Sequence, residues 1–128
     1  MNIKKTLSLP HTLVCDFKRI FGMKEIYEKH ADICKTLSNP VRLEIIGLLR
    51  NKKRNVNELV KLAKISQSNI SQHLTILRQN SIVLTTRKGK NIYYKLAYPE
   101  MIKACDIMRN ILFKQLRKSG ALAKSIKK

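Results

Sequence analysis

The chain has 128 residues, with 27 Lys and Arg against 8 Asp and Glu and a formal net charge of +19. That length suits one domain with short tails rather than two independent cores. The 44% hydrophobic content excludes wholesale disorder, three Cys exclude a disulfide framework as the main source of stability, no apolar run approaches the roughly 18 residues that cross a bilayer, and so one-sided a charge points to a polyanionic partner.

Residues 1–20 form an N-terminal arm in this reading, with a short helix over Leu13–Phe21. Lys4 and Lys5 ahead of an apolar stretch ending at Cys15 faintly resemble an export signal, but Pro10 and His11 interrupt that stretch. Three thiols without even pairing fit a reducing cytoplasm. From Met23 the apolar spacing is helical, through Ile26, Tyr27, His30, Ile33, Cys34 and Leu37. Ser38-Asn39-Pro40 ends that helix and starts a second, with Asn39 able to cap and Pro40 suited to the first helical position. Val41, Ile45, Leu48 and Leu49 form its buried face.

Asn51-Lys52-Lys53-Arg54 is a basic loop. Asn55 with Glu58 three residues on makes a capping box for a short third helix, whose inner face is Val56, Leu59, Val60 and Ala63. Lys64-Ile65-Ser66 is a turn, and Ser66 caps a fourth helix running to about Asn80, with Ile70, Leu74 and Leu77 inward. Ser81–Thr86 and Asn91–Ala97 are β-branched and aromatic stretches around Arg87-Lys88-Gly89-Lys90, a hairpin with a basic tip. After Tyr98-Pro99-Glu100 comes a long helix with a seam of Met101, Cys105, Met108, Leu112 and Gln115/Leu116. Gly120 ends it, leaving residues 120–128 as a basic tail and 21–119 as the folded domain.

The expected fold is mainly α with a small β-hairpin wing, in the order α-α-α-α-β-β-α. A short helix, a tight turn and a second helix make a helix-turn-helix, and a helix of this diameter fits the DNA major groove. Its outward residues are Gln67, Ser68, Asn69, Ser71, Gln72 and Thr75, amides and hydroxyls that exchange hydrogen bonds with base edges and phosphates. No acidic residue lies between Lys61 and Tyr98, where a carboxylate would repel phosphate. Arg87, Lys88 and Lys90 supply the tip with charge for backbone or minor-groove contact.

Ser38-Asn39-Pro40-Val41-Arg42-Leu43-Glu44-Ile45, then Ser66-Gln67-Ser68-Asn69-Ile70-Ser71-Gln72-His73-Leu74, then Leu77-Arg78, then Gly89-Lys90-Asn91-Ile92-Tyr93-Tyr94-Lys95-Leu96, resemble in order the ArsR/SmtB family of winged-helix repressors over roughly residues 25–115. The resemblance implies a homodimer joined by its first and last helices. It implies repression of a nearby promoter, relieved by a metal ion or a thiol-reactive signal; the partner expected for such a dimer is double-stranded DNA bearing an inverted-repeat operator. It places Gln67, Ser68, Ser71 and Gln72 at positions that face the major groove. For His73 two readings stand, a phosphate contact or packing beside the wing, and Arg42 is structural or phosphate-facing.

The two commonest metal sites implied by the resemblance do not fit. A Cys-x-Cys pair before the third helix is replaced by Asn55 and Asn57, whose amides cannot supply thiolates to a soft metal. The acidic and His ligands of the last helix correspond to Tyr98, Glu100, Ile111 and Lys114, which make no tetrahedral zinc site. No metal and no cofactor is expected. Cys34 and Cys105 lie on the two helices that pack together in the family, so a disulfide or polysulfide between them is the leading route to redox sensing. The family's sensing Cys, however, sits late in the second helix, where this chain has Gly47. The other readings are two small buried hydrophobes, or an atypical soft-metal site using Cys15, with His11 at i and Cys15 at i+4. Lys35 and Lys103 adjoin the two thiols in sequence and could depress their pKa.

The rival to a sequence-specific regulator is a non-specific architectural nucleic-acid binder driven by charge alone. An enzyme is not expected, because there is no Gly-rich phosphate loop, no paired carboxylates and no nucleophile–base pair. A membrane partner is not expected either, since a hairpin after an ordered helix-turn-helix does not make a basic amphipathic surface helix.

Overall fold

The computed structural model describes residues 11–120, without most side chains from His11 to Phe21. The first ten residues of the arm and the basic tail beyond Gly120 lie outside the described residues. The elements are α1 (His11–Leu37), α2 (Pro40–Leu48), β1 (Arg54–Asn55), α3 (Val56–Ala63), α4 (Gln67–Gln79), β2 (Val83–Lys88), β3 (Asn91–Leu96) and α5 (Glu100–Lys118). They fall into two compact units, one ending at Asn39 and the other starting at Pro40.

Within the first unit α1 is helical except at Gly22, whose φ of 69° and ψ of 164° break it into two segments. Only glycine takes that conformation without strain, so the break sits at the residue that separates the two helical patterns in the sequence. In the second segment Thr36 Oγ1 donates to the Asp32 carbonyl at 3.0 Å. The apolar stripe here is not covered within one chain: Met23, Tyr27, Ile33 and Cys34 are exposed.

The second unit has its own core. Ile45, Ile46 and Leu49, Leu59 of α3, Ile70, Leu74 and Leu77 of α4, Ile82 and Val83, Leu96 of β3 and Ile102 of α5 are buried. Each side chain removed from water contributes about 1.5–3 kcal/mol before chain entropy is subtracted. Ile70, Leu74 and Leu77 are spaced four and three apart, so α4 buries one stripe and leaves the opposite one to solvent.

Local chemistry sets the boundaries. The Asn55 side chain accepts from the Glu58 N–H at 2.8 Å, and Glu58 Oε1 accepts from the Asn55 N–H at 3.3 Å, completing the capping box. Lys64 ends α3 in a left-handed conformation, φ 57°, with its N–H on the Val60 carbonyl. Ser66 Oγ accepts from the Asn69 N–H at 3.4 Å and starts α4 three residues after α3 ends.

The β region is a three-stranded antiparallel sheet in the order β1-β3-β2 rather than a hairpin alone. Arg54 pairs with Tyr94 and Asn55 with Tyr93. Two residues are too few to show alternation, and the extended N-cap of α3 supplies the strand. β2 starts at Val83 because Ser81 is left-handed, φ 59°, and the Ile82 N–H turns back to the Leu77 carbonyl. Pairing then continues through Arg87–Ile92 and Lys88–Asn91, which shrinks the tip to Gly89 and Lys90. Gly89 has φ 65° while Lys90 is not left-handed, the pattern of a II′ turn.

In α5, Glu100 lies in the first turn and Arg117 and Lys118 in the last, each favourable to the helix dipole. Its middle is not covered: Ile107, Met108, Ile111, Leu112 and Phe113 are exposed, Met108 to 66%. No described helix is long and apolar enough to cross a membrane.

Candidate nucleic-acid interface

The helix-turn-helix is α3, the turn Lys64-Ile65-Ser66, and α4. With Ile70, Leu74 and Leu77 anchored in the core, the leading half of α4 turns Gln67, Ser68, Asn69 and Gln72 to solvent, with Ser71 half-buried and Thr75 exposed. Ser66 Oγ lies 3.5 Å from Ser68 Oγ, and Thr75 Oγ1 donates to the Ser71 carbonyl at 2.9 Å. The remaining amides present donors and acceptors together, as base edges require.

His73 is placed differently from its neighbours. It is half-buried, with Nδ1 3.4 Å from Arg42 Nη1 on α2. A guanidinium has no acceptor, so Arg42 donates and Nδ1 offers its lone pair. Burial, and then the Arg42 charge, hold the imidazole below its ordinary pKa. The structure therefore sets His73 between α4 and α2, while Gln67 to Gln72 form the open surface.

On the wing, Arg87 and Lys88 sit at the end of β2 and Lys90 in the turn, all exposed. Arg87 Nε donates to the Gly89 carbonyl at 3.4 Å, bracing the turn it precedes. Between Lys61 and Tyr98 there are seven Lys and Arg and no carboxylate. Two acids outside this stretch, Glu58 and Asp106, are engaged by cations. Glu58 meets Arg54 Nη1 at 3.6 Å, and Asp106 takes two bonds from Arg50, at 2.6 and 2.8 Å, with Arg109 at 3.6 Å. The Arg42–His73 and Arg50–Asp106 pairs join residues 31 and 56 positions apart, and no local pattern announces them.

Cys34 is exposed on α1 and Cys105 half-buried on α5, both as free thiols. Burial pushes the Cys105 thiol up, outweighing the lowering by Arg109 and Arg50, and Asp106 raises it further. The charges that act on Cys105 come from these groups rather than from Lys103. At the two metal positions of the family, Asn55 is committed to capping α3, and Tyr98, Glu100, Ile111 and Lys114 are exposed around α5. Among the described residues no three His, Cys, Asp or Glu side chains cluster to hold a metal ion. The His11 and Cys15 side chains lie outside the described residues.

A helix-turn-helix with a polar leading face, followed by a basic β-wing in an acid-free stretch, defines a winged helix-turn-helix DNA-binding protein. The description "Bacterial regulatory protein, arsR family" matches residues 39–83. The HTH-type transcriptional regulator Rv0081 of Mycobacterium tuberculosis is 30% identical over 80% of this chain and 90% of its own length. Its crystal structure superposes with a TM-score of 0.66 at 32% identity, covering 73% of this chain and 95% of that one. The transcriptional repressor BigR of Xylella fastidiosa superposes at 0.64 with 34% identity, covering 70% and 91%. HlyU of Vibrio cholerae, in its reduced form, superposes at 0.63 with 28% identity, covering 70% and 94%. This chain belongs to the ArsR family: it is a DNA-binding transcriptional regulator and not an enzyme.

Proposed function

We propose that the protein is a homodimeric, sequence-specific repressor that sets the leading half of α4 from each protomer into the major groove of an inverted-repeat operator. The observation that carries this reading is the exposed row Gln67, Ser68, Asn69 and Gln72, with Ser71 beside it, on a helix whose other side is locked by three buried residues. Arg87, Lys88 and Lys90 then hold the backbone beside it, and His73 supports α4 through Arg42. Two protomers join through α1 and α5, whose apolar side chains are exposed in the single chain. The working domain spans residues 21–119, with 1–20 as an arm and 120–128 as a basic tail, and acts in the cytoplasm. Repression follows the Xylella relative named a repressor, 35% identical, rather than the Vibrio relative named an activator, 28% identical.

The test compares operator and competitor DNA. Footprinting is expected to protect two half-sites about one helical turn apart. Gln67→Ala and Gln72→Ala each lower operator affinity by about tenfold and leave random-sequence binding unchanged. Equal losses on both DNAs support the architectural reading instead.

The signal that goes with this function is a thiol-reactive one, linking Cys34 and Cys105 within or across protomers. Cys34 is the accessible thiol, and the raised pKa of Cys105 keeps it protonated and slow to react first. Cys34→Ser and Cys105→Ser are expected to bind operator normally and to lose its release by oxidant or polysulfide. Undiminished release in both variants overturns the thiol pair.

A further inference from the structure

The end of the sheet remote from the wing carries a shallow hollow, open to solvent. Its volume is about 350 Å³, and its walls come from the α2–β1 loop, the last residues of β3 and the approach to α5. The floor is apolar: Leu49 and Leu96 are core residues, and Pro99 adds a rigid edge. The rim is cationic, formed by Arg50, Lys52, Lys53 and Lys95, and no carboxylate lines it.

Three features hold this rim in place. Arg50 is fixed by its two bonds to Asp106. Arg109 shares that carboxylate at 3.6 Å, so two guanidiniums face one acid and a positive charge is left over. Lys53 Nζ lies 5.8 Å from the centroid of the Tyr93 ring, which orients a side chain that would otherwise be free to rotate. The loop itself is tied down behind Lys53, where Arg54 Nε donates to the Leu48 carbonyl at 2.7 Å. The strand register puts Lys95 opposite Leu84 and Leu96 opposite Val83, at the far end of the hairpin from Gly89 and Lys90.

We infer that this open hollow is a binding site for a small organic anion, a compact apolar body carrying a carboxylate or phosphate group. The apolar part rests on Leu49, Leu96 and Pro99, and the anionic head meets Arg50, Lys52, Lys53 and Lys95. An inorganic anion leaves the floor unused, and a neutral apolar molecule leaves the rim unused. The reading stands independently of the operator, because the site can be filled and measured without DNA.

Nuclear magnetic resonance titration of the isotope-labelled full chain with phenyl phosphate, benzoate, inorganic phosphate and phenol tests it. Phenyl phosphate or benzoate is expected to shift the amide signals of residues 49–53 and 95–98 saturably, and the tighter of the two identifies the head group. Inorganic phosphate and phenol bind there about tenfold more weakly. The double variant Lys52→Ser with Lys95→Ser, both exposed positions, loses about fivefold in affinity, and Lys88→Ser with Lys90→Ser on the wing loses none. Shifts that never saturate, or that spread evenly to the wing lysines, show general counter-ion binding and overturn the site. Equal affinity for phenol, or full affinity in the Lys52/Lys95 variant, overturns it as well.

Discussion

At the scale of single residues, two histidine-sized details separate what neighbours in sequence reveal from what they hide. Asn55 and Glu58 are three apart, and their reciprocal hydrogen bonds are those that the spacing foretells. His73 is instead decided by Arg42 across the fold, a partner no periodicity names. This contact has a pH signature. The folded imidazole titrates below its ordinary value, near 6.5 in an unfolded chain, so the unfolded state takes up the proton first. His73 therefore contributes stability that is present above about pH 6.5 and is lost as the pH falls below it. Urea unfolding between pH 7.5 and 5.5 should show this loss, and His73→Gln should remove part of it. A variant with the wild-type pH profile would remove His73 as its source.

Among the elements, helices were legible and sheet edges were not. Buried spacing in α4 and the caps at Asn55 and Ser66 define the helix-turn-helix from sequence, because each signal is local. β1 escaped, since two residues carry no alternation and only their pairing to Tyr93 and Tyr94 makes them a strand. Arg87 and Lys88 have weak strand preference, yet ladder pairing draws them into β2. The turn that results depends on Gly89 at φ 65°. A Cβ there meets no atom within 4 Å, so the cost of a side chain is purely backbone. Gly89→Val is expected to destabilise the unit by about 1–2 kcal/mol. It should weaken operator and random DNA alike, while circular dichroism shows the helices intact. A selective loss on operator would mean that the wing reads sequence rather than positioning the protein.

For the whole molecule, charge and exposed apolar surface pull in opposite directions. A net charge of +19 drives copies apart, while Ile107, Met108, Ile111, Leu112 and Phe113 on α5 offer them a surface to share. Met108 and Leu112 lie four residues apart, on one face of the helix. Met108→Glu with Leu112→Glu is expected to give a monomer by analytical ultracentrifugation with undiminished thermal stability of the second unit. Operator binding should fall with it, because one α4 cannot span two half-sites. A dimer surviving both substitutions would place the interface elsewhere.

By itself the sequence determined the helices, the turn between α3 and α4, the polar row on α4 and the basic wing, because capping, hydrophobic period and charge act over a few residues. It also determined the family, through segments matched in order. Only the tertiary structure decided that β1 joins the hairpin as a third strand, that His73 leans on Arg42, that Asp106 gathers Arg50 and Arg109, and that a cationic hollow forms at the sheet's far end. Those outcomes depend on contacts between residues tens of positions apart, which packing sets and local spacing cannot encode.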